Sequence, residues 1–274
     1  MKISKYIFLL LLVVTANMSF YKPQSIQKAN ICNLTNDAFI GGENLVYKVY
    51  YNLGFVWIPA GEVTFKTRES IDHYELIAEG KTYQSYESIF KVNDYFYTKV
   101  DKKSLLPQNF VRIVEEGNYK VYDSIRFQQD INKVVMFHGP TKKNTKMSTL
   151  KTDDCAQDLM SNLYMLRNVE TAQFKKGDAI ETKMVFDKDI HPIKITYSGK
   201  EKKEIKGLGN FKTLRFHPEV LAGNVFKKGD QMTVWVSDDG NKLPLMIESP
   251  VSVGSVKVVL KNYKGLRHEL LSKI

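Results

Sequence analysis

The sequence predicts a mainly β protein: an antiparallel curved sheet or partly open barrel, built from two similar halves, with one helix at about residues 154–169. Three observations carry this reading. Apolar and polar residues alternate with period two through most of the chain after Gly41, as strands with one buried face do. Turn signals separate the runs at Pro59-Ala60-Gly61, Asp187 to Asp189, Gly207-Leu208-Gly209 and Asp239-Gly240. One stretch alone carries the helical period.

The chain opens with a basic head, Met1 to Lys5, and an unbroken apolar run, Tyr6 to Val14, followed by the small or polar Thr15, Ala16, Asn17 and Ser19. That layout predicts a secretory signal peptide over 1–20; the run is too short to cross a bilayer as a helix, and no later segment reaches the ~20 apolar residues a spanning helix needs. Cys32 lies well past the apolar run, so no lipoprotein cysteine stands at the cleavage site. The expected location is periplasmic or secreted. Residues 21–40 form a polar, flexible lead-in, and 41–274 a single β-rich domain with similar halves at about 41–137 and 177–263.

The two cysteines, Cys32 and Cys155, form a candidate disulfide in an oxidising compartment; two free thiols are the alternative. The formal charge of +10 falls by two when Lys2 and Lys5 leave with the leader. The remaining basic residues are interleaved with acids, as in Gly199-Lys200-Glu201-Lys202-Lys203-Glu204-Ile205-Lys206, the mark of a solvated hairpin face rather than a docking patch. Export removes nucleic acid as a natural partner.

Strand runs follow in order. Leu45, Tyr47, Val49 and Tyr51 share a face, as do Val63, Phe65 and Thr67; Ile193, Ile195 and Tyr197; and Val256, Val258 and Leu260. Between them, Leu159, Leu163 and Leu166 stand at i, i+4 and i+7, widened by Met160 and Tyr164, with Asp154 and Gln157 as the expected capping pair. This helix is expected to cover a face of the sheet. Shifting the chain by 137 positions matches Asp101 with Asp238, Leu106 with Leu243, Pro107 with Pro244, and Gly117 with Gly254. Such an echo describes a repeated β unit whose open sheet exposes an apolar face until a second unit covers it.

No catalytic constellation stands out. Cys155 at a helix start is weighed as a thiolate, but no Cys-His signature surrounds it. The five histidines show no metal-ligand spacing, so neither a metal nor a cofactor is expected. Asp238 and Asp239 are candidates for binding a cation or, with Glu43 or Glu62, for glycoside chemistry; the competing reading is a hairpin turn. Arg167 is expected to pair with Glu43 or Glu62. The echo at Asp101–Pro107 lacks the Trp, the Ser and the second Asp of the later copy. Trp235, Ser237 and Asp239 are therefore the candidate ligand-binding residues, with Trp235 either lining a mixed cavity or covered by the helix.

Gly42-Glu43, Leu45, Tyr47, Ala60-Gly61-Glu62, Asp158, Ser161, Tyr164, Arg167, Gly207, Gly209, Phe211, Thr213, Trp235, Ser237-Asp238-Asp239 and Leu243-Pro244 recur in this order as a motif series. The series resembles the exported bacterial proteins grouped as domain of unknown function 3108, over about residues 41–263. The resemblance implies an exported antiparallel β protein of the Gram-negative envelope and carries over no activity or functional residue. By looser analogy of architecture, periplasmic lipoprotein carriers curve a similar sheet around acyl chains. The expected function is non-enzymatic binding of an amphipathic or lipid-like ligand. The alternatives are a structural module of an envelope assembly and an envelope polysaccharide-acting enzyme or accessory factor.

Overall fold

The computed structural model describes residues 31–32, 34–53, 56–88, 90–152, 155–219, 231–251 and 254–274. The expected signal peptide and residues 21–30 of the lead-in lie outside these. The first run of strands is β1 (Asn44–Leu53), β2 (Val56–Glu69), β3 (His73–Thr82), β4 (Asn93–Asp101), β5 (Pro107–Glu116), β6 (Tyr119–Gln128), β7 (Lys133–Thr141) and β8 (Asn144–Lys151). After helix α1 (Leu159–Leu166) come β9 (Ala179–Phe186), β10 (Asp189–Ile205), β11 (Gly209–Pro218), β12 (Thr233–Ser237), β13 (Pro244–Pro250) and β14 (Ser255–Lys264).

All fourteen belong to one sheet, ordered β8-β7-β6-β5-β4-β3-β2-β1-β14-β13-β12-β11-β10-β9. Neighbours run antiparallel throughout, most of them joined by short turns, with β1 and β14 paired across the length of the chain. Two meanders therefore meet where the first strand pairs with the last, and β8 and β9 are the sheet's two edges. Helix α1 touches β3 and β4 and also β9, strands far apart in this order. A helix of eight residues, about 12 Å long, reaches both only because the sheet curls around it. The sheet is curved and open, as expected.

The offset of 137 recurs in the strands themselves: it carries β1 through β6 onto β9 through β14. Pro107 opens β5 as Pro244 opens β13, and the turn before each holds a residue in left-handed conformation, Leu105 (φ 56°) and Lys242 (φ 44°). β7 and β8 have no counterpart among the described residues. Where β2 meets β3, Gly61 leaves space that its partner uses: a Cβ there would lie 2.2 Å from the Lys81 carbonyl oxygen.

The helix departs from expectation at its start. Its cap is Asp158, whose Oδ1 accepts from the Met160 and Ser161 amides at 2.8 and 3.0 Å, while the Ser161 hydroxyl accepts from the Asp158 amide at 2.9 Å. Gln157 is no capping residue, and Asp154 lies outside the described residues. The backbone of Gln157 pairs with edge strand β9 instead, donating to Lys183 O at 3.2 Å and accepting from Val185 N at 2.8 Å. An unpaired strand edge competes for backbone groups and delays the helix. The apolar stripe is also turned: Leu159 is exposed, whereas Met160, Tyr164 and Met165 are buried.

Cys32 and Cys155 are joined by a disulfide, Cα atoms 5.6 Å apart, which ties the lead-in to the crossover between β8 and α1. Three apolar clusters are buried. One lies around Phe39, Leu76, Phe110 and Tyr164, one around Leu45, Phe211, Trp235 and Leu245, and one around Ile180, Ile195, Leu214 and Phe216.

Candidate functional site

The inner face of β1, β2, β13 and β14 does not close onto the helix. Leu45 and Tyr47 of β1, Val63 and Phe65 of β2, Pro244 and Ile247 of β13 and Val258 of β14 line a cavity of about 190 Å³. Leu163, Tyr164 and Arg167, from α1 and its C-cap, form the opposite wall. Period-two alternation places these side chains: Val63 and Phe65 point inward while Glu62, Thr64 and Lys66 take the other face. The void exists because α1 packs chiefly on β3, β4 and β9 and stands off from the β1–β14 seam. The walls present hydrocarbon almost throughout.

One end of the cavity is formed by a buried ion pair. Arg167 Nη1 and Nη2 each lie 2.7 Å from a different carboxylate oxygen of Glu43, and the two side chains are 4% and 0% exposed. Its Nε donates to Asn241 O and its Nη2 also to Ala38 O, both at 3.1 Å. Its guanidinium stacks near Phe39 and Tyr164, with ring centroids at 5.5 and 5.3 Å. Burial works against the Arg167 charge, but the Glu43 carboxylate outweighs it and holds the guanidinium above its ordinary value. The Tyr47 hydroxyl donates to Pro244 O at 2.9 Å, and Thr67 Oγ1 donates to the Tyr164 hydroxyl at 3.3 Å. Burial raises both phenols above their ordinary range.

A second polar group spans the concave face near the open edges. Arg112 on β5 donates through Nε to Asp123 Oδ2 at 2.6 Å and through Nη2 to Asp187 Oδ1 at 2.5 Å, in the turn between β9 and β10. Asp123 also holds His138 Nδ1 at 2.6 Å. This chain links β7, β6 and β5 to the far meander across the gap between edges.

The residues singled out from sequence lie elsewhere. The Trp235 indole N–H donates to Glu201, and Lys203 Nζ sits 4.0 Å above its ring. Its cross-strand neighbours are Arg215 and Met246, whereas the cavity-lining Ile247 opposes Val234, so Trp235 takes the other face of the sheet. Ser237 Oγ donates to Asp239 Oδ1 at 2.9 Å and accepts the Leu243 amide at 2.8 Å. Asp239 further accepts the amides of Asn241 and Ser272, at 3.0 and 3.1 Å, which stitches the turn to the C-terminal tail. Asp238 pairs with Lys200 at 2.9 Å. Of the two acids weighed for Arg167, Glu43 is the partner; Glu62 bonds Tyr83 at 2.7 Å and pairs with Lys261. None of Trp235, Ser237 and Asp239 lines the cavity. Tyr47, Tyr164 and Arg167 do, and their signal was already present in the motif series. Among the described residues, no group of three or more His, Cys, Asp or Glu is placed to hold a metal, and no helix is long and apolar enough to cross a membrane.

The family model described as a protein of unknown function, DUF3108, matches residues 46–261. The chain belongs to this family. Its match takes in β1 through most of β14, with the helix and every cavity-lining residue except Leu45. No curated protein matches the chain. Among solved structures, a β-barrel-like protein of domain of unknown function DUF1849 from Brucella abortus is similar at TM-score 0.53 and 11% identity, covering 83% of this chain and 98% of that one. That likeness shows a shared fold. A Bacteroides fragilis protein described as exported, with a YmcC-like fold, has TM-score 0.31 and 10% identity over 84% and 99% of the two chains. A Parabacteroides distasonis protein described as a lipoprotein has TM-score 0.30 and 11% identity over 84% and 99%.

Proposed function

We propose that this protein is an exported, non-enzymatic binding protein of the cell envelope that shelters the apolar part of an amphipathic or lipid-like ligand. The observation that carries the reading is the apolar cavity between the concave sheet and α1. A concave site lined by hydrocarbon favours an apolar guest over water. The basic head and apolar run at the N-terminus and the disulfide both suit an oxidising exported setting.

Extraction of the protein from its own host, followed by mass spectrometry of the organic phase, tests this. A stoichiometric lipid-like molecule is expected. In vitro, N-phenyl-1-naphthylamine should brighten on binding, and Val63→Trp, which fills the cavity, should abolish the signal while the circular dichroism spectrum is retained. A ligand-free extract together with no probe uptake overturns the reading.

The second reading, a module of an envelope assembly, is favoured by edge strand β8, where Met147 is 65% exposed. Co-purification of a stoichiometric partner, lost on Met147→Lys, would support it. The third, polysaccharide chemistry at Asp238 and Asp239, draws no support from carboxylates already engaged in a turn.

A further inference from the structure

The buried ion pair at the end of the cavity decides which part of a ligand enters. Arg167 is the cation in the cavity wall, and its charge is matched by Glu43 through two parallel contacts of 2.7 Å. Its remaining bonds go to two backbone carbonyls, Asn241 and Ala38. The Tyr47 hydroxyl is committed to Pro244 O. An anionic head group placed here would face Glu43 as well as Arg167, adding an uncompensated negative charge to a neutral, buried pair. A cationic head group fares no better beside a guanidinium. The pair itself is sealed from solvent, Glu43 and Arg167 being 1% and 5% exposed, whereas Val63, Phe65, Ile247 and Val258 on the strand wall are half-buried. The open side thus lies away from the charges.

We infer that the cavity admits its ligand tail-first and takes a single uncharged alkyl or isoprenoid end, leaving the head group in solvent. This rests on the binding function proposed above. The volume, about 190 Å³, sets the length. An engineered cavity of roughly 150 Å³ holds benzene, so on the order of seven carbons fit here, and two acyl chains do not.

Displacement of N-phenyl-1-naphthylamine from the mature full-length chain tests this with two ligand series. The first keeps an eight-carbon tail and varies the head: 1-octanol, octanoate and octyltrimethylammonium at pH 7.5. The three are expected to agree within about threefold. The second runs through 1-alkanols from four to twelve carbons. Affinity is expected to rise about fourfold per methylene and to level off near seven carbons. A preference of tenfold or more for either charged head overturns tail-first entry while leaving the binding function standing. So does a rise that continues undiminished to twelve carbons. Displacement by none of these compounds, with the probe itself unbound, removes the binding function and this inference together.

Discussion

Arg167 and Glu43 lie 124 residues apart in sequence and meet through two parallel 2.7 Å contacts inside the sheet. The pair joins the end of α1 to the entry of β1, so it locks the helix to the wall it faces across the cavity. Breaking a buried pair from one side leaves a charge without a partner, which costs roughly 3–5 kcal/mol, whereas removing both sides costs far less. Glu43→Gln and Arg167→Met should each lower the stability measured by urea denaturation by about that amount. The double variant should lose much less than the two combined. Additive losses would show that the two groups do not act as a pair.

Asp158 makes stability depend on pH. Burial raises its carboxyl to about 6 from 3.8, despite three hydrogen bonds to Oδ1, and Oδ2 is buried without a partner. The folded state therefore holds this proton more tightly than the unfolded chain does. Its stabilisation is complete below 3.8 and disappears as pH rises through about 6. Between pH 5 and 7.5 the loss from this group is on the order of 1 kcal/mol. Asp158→Asn keeps the cap acceptor and should flatten the profile in that window. Asp94, also raised to about 6 by burial, supplies the slope that remains. Glu79, held low by its hydrogen bond from Lys66, acts in the opposite sense and only at more acid pH. Identical profiles for the wild type and Asp158→Asn would refute the assignment.

The disulfide closes a loop of 123 residues. By chain entropy, linking residues so far apart stabilises by up to about 5 kcal/mol. Adding dithiothreitol should move the urea midpoint down markedly in the wild type and leave a Cys32→Ser/Cys155→Ser variant unchanged. An unmoved midpoint in the wild type would mean that the reference state already holds these segments together.

Trp235→Phe, Ser237→Ala and Asp239→Asn should each cost stability, about 1–3 kcal/mol as buried hydrogen bonds are lost, without changing the affinity for the apolar probe. Isothermal titration and urea melts on the same samples separate the two quantities. A fall in affinity with unchanged stability would return these residues to the binding site.

Much of the fold was legible because its signals are local. The alternation of Val63 and Phe65, the Leu-Pro openings of β5 and β13, and the echo at offset 137 all appear in the chain itself. Cap position was not legible, since the edge of β9 captures the backbone of Gln157, a contact with no trace in nearby sequence. The site was obscured for a related reason. Trp235 and Asp239 drew notice through their chemistry, yet alternation alone does not say which face is concave. Tyr164 and Arg167 come to the cavity through pairing with Thr67 and Glu43, whose partners lie on the other meander's approach. Those residues were visible as motif members, without a reason to set them above the others.

The pairing of β1 with β14 has a consequence for how the molecule is made. The middle of the sheet is where the two ends of the β framework meet, and the tail beyond β14 then fastens to the turn at Asp239 and Asn241. No growing chain can zip that centre until its last strand exists, because contacts so distant in sequence must wait for both partners. Closure of the centre thus waits on β14, and any product that stops before Ser255 carries β1 with its far side bare.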